Sequence, residues 1–476
     1  MKKLAPEFMS LMDSLLGKEE CQQLLDALQA EQPVSIRLNP LKTKGEDVLE
    51  RVPWCSEEGR YLHERPQFTF DPLLHAGCYY VQEASSMFVS QAVRQYVDKP
   101  VFALDLCAAP GGKSTLLRSS LPTGSMLVCN EIMRNRAQIL AENMVKWGYP
   151  DVMVTNNASE DFSDCTNCFD LILADVPCSG EGMFRKDDES IANWSLENVQ
   201  MCAERQRHLI NNIWPALKPG GILIYSTCTY NAEEDEHNIS WIMQEFGASV
   251  LPVDVPEGCD VMGNLIGSDF PVYHFMQHKV RGEGFFLAVV RKPDEPGFRP
   301  FHLPDISSFD KDKKKKKDKK QVSLPVKEIL GEVQRWILHP ENYYWQVNED
   351  GVRALPLSMA SFYLWGKNKG LKILEAGVQV ASLKGKEPIP AHPLAMSTQL
   401  NTDAFACQEV NYAQAIAYLR KESVVLPPDT PKGYVLLTYR KLPLGFVKNL
   451  GNRANNLYPQ EWRIRSSYIP GPFNVV

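Results

Sequence analysis

The sequence predicts an α/β protein: a mostly parallel sheet with helices on both faces, and smaller regions before and after it. Three observations predict this. Residues 96–293 alternate short apolar runs with helix-spaced segments, the pattern of strands joined by crossover helices. The first apolar run, Pro100-Val101-Phe102-Ala103-Leu104, passes through a glycine turn directly into a helical pattern. Several predicted strands also end in polar residues, and open α/β sheets bind ligands outside the carboxyl ends of their strands.

The bulk numbers fit an ordinary globular chain. Its 476 residues allow two or three domains, with 44% hydrophobic and 23% charged residues. No apolar run opens the chain or is long enough to span a bilayer, so a cytoplasmic protein without a membrane partner is expected. The twelve cysteines form no repeating framework, which points to free thiols in a reducing compartment. Cys165-Thr166-Asn167-Cys168 lacks a second ligand pair, so no metal is expected. The net charge of -7 means that a nucleic-acid partner would be held by local basic patches. A monomer is expected.

In chain order, residues 1–95 read as a small α+β region. Helical spacing runs from Pro6 to Leu28, Val34–Asn39 alternates like a strand, and Tyr79–Glu83 leads into a helix near Ala84. In the region 96–293, further strands fall at Ser125–Glu131, Asp151–Thr155, Phe169–Ala174, Ile222–Tyr225 and Gly284–Val290. Helices are predicted over about Met133–Trp147 and Leu196–Leu217. Residues 294–323, with eight lysines and scattered prolines, cannot bury a core and read as a linker. Residues 324–425 form an intermediate region of short strands and few long helices. From Lys432 to Val476, seven basic residues (Lys432, Arg440, Lys441, Lys448, Arg453, Arg463, Arg465) face one acid, Glu461, interleaved with Tyr439, Tyr458, Trp462 and Tyr468. That mixture suits an RNA-contacting module over 426–476.

The stretch Asp105–Thr115, DLCAAPGGKST, is the candidate ligand cradle. Its Gly-Lys-Ser ending resembles that of a phosphate loop, but such a loop needs a glycine where Cys107 stands. Glu131 lies 20 residues after Gly111 at a strand end, the place of an acid that bonds ribose hydroxyls. Asn157, Asp175, Cys178 and Cys228 complete the strand-end set. Two thiols at separate functional strand ends are harder to explain as packing than one would be.

These residues carry a resemblance. Tyr80–Ser86, the Cys107–Lys113 loop, Asn130-Glu131, Asp175-Val176-Pro177-Cys178-Ser179-Gly180, Ser226-Thr227-Cys228-Thr229 and Gly284-Phe285-Phe286 resemble the Nop/Sun family of RNA cytosine-5 methyltransferases, in its bacterial ribosomal-RNA (RsmF-like) branch. The similarity covers about residues 30–291, and Pro443–Pro459 is similar to the PUA-like tail of that branch. It implies a Rossmann-like domain dependent on S-adenosyl-L-methionine at 96–293, an RNA-contacting N-terminal domain and a PUA-like C-terminal domain. It also implies an RNA substrate, ribosomal first, either naked or in an assembled subunit.

The resemblance assigns roles. Cys228 would attack carbon 6 of cytosine, making carbon 5 nucleophilic enough to take a methyl group. Cys178 would assist release of the adduct, Asp175 would contact the base, and Lys113 would position cofactor and target. Cys107, Ala108, Ala109, Pro110, Gly111, Gly112 and Lys113 would wrap the methionine end of the cofactor, and Asp175 would also reach it. Glu131 would hold the ribose, Arg136 would lie nearby, and Asn157 would meet the adenine edge. Arg37, Lys186, Arg205 and Arg207 are candidate strand contacts. The competing classes are a tRNA or DNA cytosine-5 methyltransferase and a ribosome-assembly protein without catalysis. A DNA enzyme would use the Pro-Cys thiol as nucleophile and carry a base-recognition domain; a retired enzyme would have lost the thiols, Asp175 or Lys113.

Overall fold

The computed structural model describes residues 2–43, 49–307, 325–466, 468, 471, 475 and 476. The helical pattern over Pro6–Leu28 divides at Gly17, whose φ of 79° turns the chain between helices Pro6–Leu16 and Lys18–Ala27. The hairpin buries Phe8 and Met12 in a cluster with Phe184, Trp194 and Tyr230. It therefore packs on the loops that follow Cys178 and Cys228.

Next, β1 (Val34–Leu38) lies between β2 (Gly59–Leu62) and β3 (Tyr79–Val81), antiparallel to both. All five residues of β1 are buried, including the polar ones. Ser35 Oγ donates to the Gln82 carbonyl at 2.6 Å, which is how a hydroxyl is accommodated in a dry site.

The strand–helix alternation becomes a twisted parallel block. β4 (Phe102–Asp105), β5 (Met126–Asn130), β6 (Val152–Thr155), β7 (Phe169–Asp175) and β8 (Leu217–Thr227) lie in the order β6-β5-β4-β7-β8. All four contacts between them are parallel. Side chains alternate between two apolar layers. Ala103, Leu127 and Leu171 enter one; Leu104, Val128, Met153 and Ile172 enter the other. The strand order reverses at β4, so a crevice opens above its carboxyl end. β9 (Ser249–Leu251) and β10 (Tyr273–Phe275) both pair antiparallel with β11 (Phe285–Arg291), which runs antiparallel beside β8.

The remainder is less separate than its sequence reads. Of the expected 294–323 linker, residues 308–323 with the lysine run lie outside the described residues. The part before them is no free tether: Phe301 packs at 5.0 Å from Trp365, and Leu303 and Ile306 rest on the same core. β12 (Tyr343–Asn348) and β13 (Gly351–Pro356) lead into helix Leu357–Lys369, which β14 (Ile373–Ala376), β15 (Val378–Lys384) and β16 (Glu387–Pro390) follow. Four of these strands make an antiparallel sheet, but β14 leaves it and pairs antiparallel with β6, becoming the ninth strand of the central sheet. The helix buries Met359, Ala360, Phe362, Leu364 and Trp365 around its circumference, so no amphipathic period marked it in the sequence.

The last sheet is β17 (Ala406–Glu409), β18 (Gly433–Tyr439), β19 (Leu442–Asn449) and β20 (Ala454–Asn456), with β17 parallel to β18. Two aromatics expected to offer stacking surfaces here belong to its core: Tyr458 is fully buried and Tyr439 nearly so, whereas Tyr468 is exposed.

Phe362 sits 4.8 Å from Phe102 and 6.2 Å from Phe169, ring centre to ring centre. Phe362→Ala is expected to cost about 3–5 kcal/mol, the usual range for a buried phenyl cavity. Urea unfolding should show the loss in the melting of the central sheet itself; a loss below about 1 kcal/mol would place the helix outside that core.

Candidate active site

The sheet order decides what can meet. The carboxyl ends of β4, β7 and β8 lie side by side, and they carry the Asp105–Lys113 loop, Asp175–Cys178 and Ser226–Cys228. The ends of β5 and β6 lie on the other side of β4 and carry Glu131 and Asn157.

On the first side, Lys113 Nζ pairs with Asp175 Oδ2 at 3.0 Å, and Ser226 Oγ donates to Asp175 Oδ1 at 2.8 Å. Both carboxylate oxygens are thus oriented, each with lone-pair capacity left. Burial alone would lower the Lys113 pKa, but Asp175 outweighs it and the pKa is raised, so the ammonium stays charged. Its Nζ lies 5.3 Å above the centre of the Phe285 ring.

Cys178 Sγ and Cys228 Sγ are 3.2 Å apart, and the Cys228 backbone N–H donates to Cys178 Sγ at 3.3 Å. Both thiols are half-buried. The Cys228 sulfur first, and then burial, push the Cys178 thiol well above its ordinary pKa. The Cys178 thiol is thereby held in its neutral form.

The glycine loop is built for close approach. Helix Gly112–Ser120 starts within it, and Gly111 has a φ of 114°, where an added β-carbon would also sit 3.3 Å from Leu140 Cδ1. Beneath the loop, Asp105 is fully buried. Its Oδ2 accepts from Ser114 Oγ at 2.7 Å, while its Oδ1 has no hydrogen-bond partner among the described residues. Burial raises the Asp105 pKa to about 7. A lone buried carboxylate oxygen is the feature expected where a ligand brings positive charge or an N–H donor.

Across β4, Glu131 is buried; Met133 N donates to its Oε1 at 2.8 Å, and Arg136 Nη1 lies 3.4 Å from its Oε2. Arg136 also donates to the Ala109 carbonyl at 2.8 Å, joining Glu131 to the loop. Ile132 and Met133, which follow the acid, are 64% and 53% exposed, so two large apolar side chains stand uncovered beside it.

The structure constrains one expected contact and overturns another. Asn157 has its side chain engaged at both ends: Oδ1 accepts from Lys372 N at 3.1 Å, and Nδ2 donates to Asp161 Oδ2 at 2.9 Å. It ties β6 to the intermediate region rather than presenting a free amide. Arg37 is fully buried, bonded to Gln82 Oε1 at 2.9 Å and Thr115 Oγ1 at 2.5 Å and lying over Trp147, so it cannot meet a strand. Of the other basic candidates, Lys186 and Arg205 are exposed, and half-buried Arg207 bonds Asn238 Oδ1 at 2.7 Å. Cys165 and Cys168 are buried, and no cluster of three or more metal-ligating side chains occurs among the described residues. Asp105 and Ser226 stood inside motifs the sequence singled out but carried no role of their own, and Ile132 was not singled out. Each sits within two residues of a strand end, and that position was the available signal.

A doubly wound sheet with a glycine cradle at the strand-order reversal and reactive side chains on the neighbouring strand ends defines a Rossmann-like methyltransferase domain. Comparison with known proteins gives the family. Residues 97–291 match the 16S rRNA methyltransferase RsmB/F family model, residues 4–84 the N-terminal domain of 16S rRNA methyltransferase RsmF, and residues 406–464 the methyltransferase RsmF PUA domain. The chain is 30% identical to ribosomal RNA small subunit methyltransferase F of Escherichia coli O139:H28, over 97% of its own length and 94% of that protein's. It is 31% identical to the Aliivibrio fischeri (strain MJ11) protein of the same name, over 90% of each. Among solved structures, NSun6 from Pyrococcus horikoshii with SFG shares the fold at a TM-score of 0.52 and 21% identity, covering 61% of this chain and 99% of that one. The chain belongs to the RsmB/F methyltransferase family, and it carries the N-terminal and PUA domains of the RsmF branch.

The Asp105 carboxyl gives the ligand-free protein a pH signature. Unfolded, the group ionises near about 4; folded, it holds its proton to about 7. Folding therefore takes up a proton between those values, and the stability this group affects falls as pH rises through that window. Asp105→Asn should flatten the fall in melting temperature between about pH 4 and 7 relative to the parent. Parallel curves for the two proteins would mean that Asp105 ionises as an exposed acid does.

Proposed function

We propose that this protein transfers a methyl group from S-adenosylmethionine to carbon 5 of a cytosine in small-subunit ribosomal RNA, through a transient bond between Cys228 and carbon 6. The observation that carries the reading is the contact of two thiols at adjacent strand ends, beside an oriented carboxylate–ammonium pair.

The residues present fit the cofactor. The Cys107–Gly112 backbone offers the close approach, the unpartnered Asp105 oxygen is placed to meet an N–H donor, Asp175 supplies negative charge for a cationic methionine end, and Glu131 accepts from ribose hydroxyls. Ile132 offers an apolar face for the adenine. Bound there, S-adenosylmethionine supplies an electrophilic methyl group.

The chain's own residues do the rest. Asp175, held by Lys113 and Ser226, accepts from the exocyclic amino group and orients the ring. The Cys228 sulfur adds to carbon 6, and the ring electrons move to carbon 5, which becomes the nucleophile. After methylation the carbon 5 proton passes to solvent water, and the electron pair it leaves re-forms the carbon 5–carbon 6 double bond as the carbon 6–sulfur bond breaks and releases Cys228 as a thiolate. Protonated Cys178, in contact with the departing sulfur, stabilises the thiolate as it forms. Extruding the base from folded RNA costs a few kcal/mol, which contacts along the strand must offset. Exposed Lys186 and Arg205 and the C-terminal module are suited to make them. The ribosomal substrate is favoured over tRNA or DNA by the full-length relatives, whose names specify small-subunit ribosomal RNA.

Cys228→Ala is expected to reduce transfer of labelled methyl to RNA by about 10³-fold or more while S-adenosylmethionine still binds. Normal turnover in that variant would remove Cys228 from its role. Cys178→Ala should instead accumulate a covalent protein–RNA adduct, visible as a denaturation-resistant gel shift on small-subunit RNA. If that RNA gave none while tRNA or DNA did, the substrate would be reassigned.

A further inference from the structure

The turns that carry the two thiols are locked to each other by a pair of buried carboxylates. Glu181, three residues after Cys178, is fully buried and reaches across to the other turn. Its Oε2 accepts from Tyr230 N at 2.9 Å and Asn231 N at 3.1 Å, and its Oε1 from Asn231 Nδ2 at 3.0 Å and Trp194 Nε1 at 2.8 Å. Glu234, six residues after Cys228, is also fully buried and reaches back. It accepts from Ser179 N at 3.1 Å, Gln206 Nε2 at 2.7 Å and Asn231 Nδ2 at 2.9 Å. Between them, the Ser179 and Thr229 hydroxyls are 3.0 Å apart, and Gly182 N donates to the Cys228 carbonyl at 2.9 Å.

The hydrogen-bond donors named here are amide and indole N–H groups, not cations. Burying two carboxylates in this way is expensive, and apolar side chains of similar volume would stabilise the fold as well or better. Only an acceptor-only group can satisfy converging N–H donors on both oxygens; glutamine would turn a donor toward a donor. The chemistry selects carboxylate for its geometry rather than for stability.

The geometry points to Glu181 and Glu234 as positioning residues for the thiol pair, each rooted in one cysteine turn and fastening the other, so that the two sulfurs remain in contact. The catalytic meaning of that contact rests on the function proposed above; the contact itself does not. Glu234 has a second effect. Its negative charge adds to those of the Cys228 sulfur and burial in keeping the proton on Cys178.

The test uses the full-length protein and an azodicarbonyl oxidant such as diamide. Each crosslink forms one sulfur–sulfur bond and passes two electrons and both thiol protons to the nitrogen–nitrogen double bond. Peptide mass mapping separates the Cys178–Cys228 crosslink from one at Cys165–Cys168. Glu181→Gln and Glu234→Gln are each expected to slow the Cys178–Cys228 crosslink about tenfold and to lower kcat about 10- to 100-fold, with the KM for RNA within about threefold of the parent. Thr229→Val removes a hydroxyl bonded to Ser179 and Asn231 without disturbing a buried charge, and should slow the crosslink about threefold. Folded glutamine variants that crosslink at the parental rate overturn the proposal. If they do not fold, a parental rate in Thr229→Val overturns it. Parent protein that methylates no cytosine would refute the functional reading instead, and the crosslinking rates still decide the clamp.

Discussion

A sulfur–sulfur contact of 3.2 Å is the constraint around which the site is arranged. Two half-buried thiols from turns 50 residues apart meet only because β7 and β8 are parallel neighbours in fixed register, with Asp175 opposite Ser226. A slip of one residue would send every side chain of one strand to the wrong layer. Ile172 and Leu223 are buried on one face, Leu173 and Ile224 on the other, so the slip would disturb both. The register of the turns that carry the thiols is thus set by the apolar interior beneath them. Val176 N continues the pairing past the strand end by donating to the Ser226 carbonyl at 3.0 Å, carrying that order into the first residue of the turn.

Charge around the pair is distributed with the same economy. Lys113 is held by Asp175 rather than left to the thiols, so the ammonium stays charged in a dry setting and fixes the carboxylate at once. The N-terminal hairpin contributes at a distance. Phe8 packs edge-on to Trp194 at 5.6 Å, and the Trp194 indole donates to Glu181. A segment whose sequence speaks only of packing thereby supports the turn that bears Cys178.

The parallel block, the glycine cradle, Glu131 and both thiols could be read from the sequence because each sits where a strand pattern ends, and a continuous apolar run that stops at a polar residue makes those ends visible. What could not be read was decided by tertiary contact. Arg37 looked like a surface cation because arginine is rarely buried whole; Gln82, Thr115 and the Trp147 ring make its burial tolerable. Tyr458 sat among basic residues in sequence but points into a core with Tyr418 and His392. The Asn157 side chain was taken by a backbone N–H more than two hundred residues away, which no local pattern announces. Helix Leu357–Lys369 carried no period because its middle, Met359 to Gly366, is buried around nearly the whole circumference.

β14 shows why the region after the catalytic block cannot be regarded as an appendage. Without it, β6 would be an open edge with a row of unsatisfied backbone groups, a site prone to pairing with other chains. Ile373–Ala376 closes that edge, and the closure continues past the strands: Asn156 N donates to the Lys372 carbonyl at 2.9 Å, and Lys372 N to the Asn157 side chain. The Asn157 backbone is in turn bonded to Asn130, the residue before Glu131. Movement of the intermediate region would therefore be felt one residue from the acid proposed to hold the ribose. Two hydrogen-bonded steps connect the parts, Lys372 to Asn157 and Asn157 to Asn130, and the second of them is buried, so the edge strand is tied to the far side of the cradle.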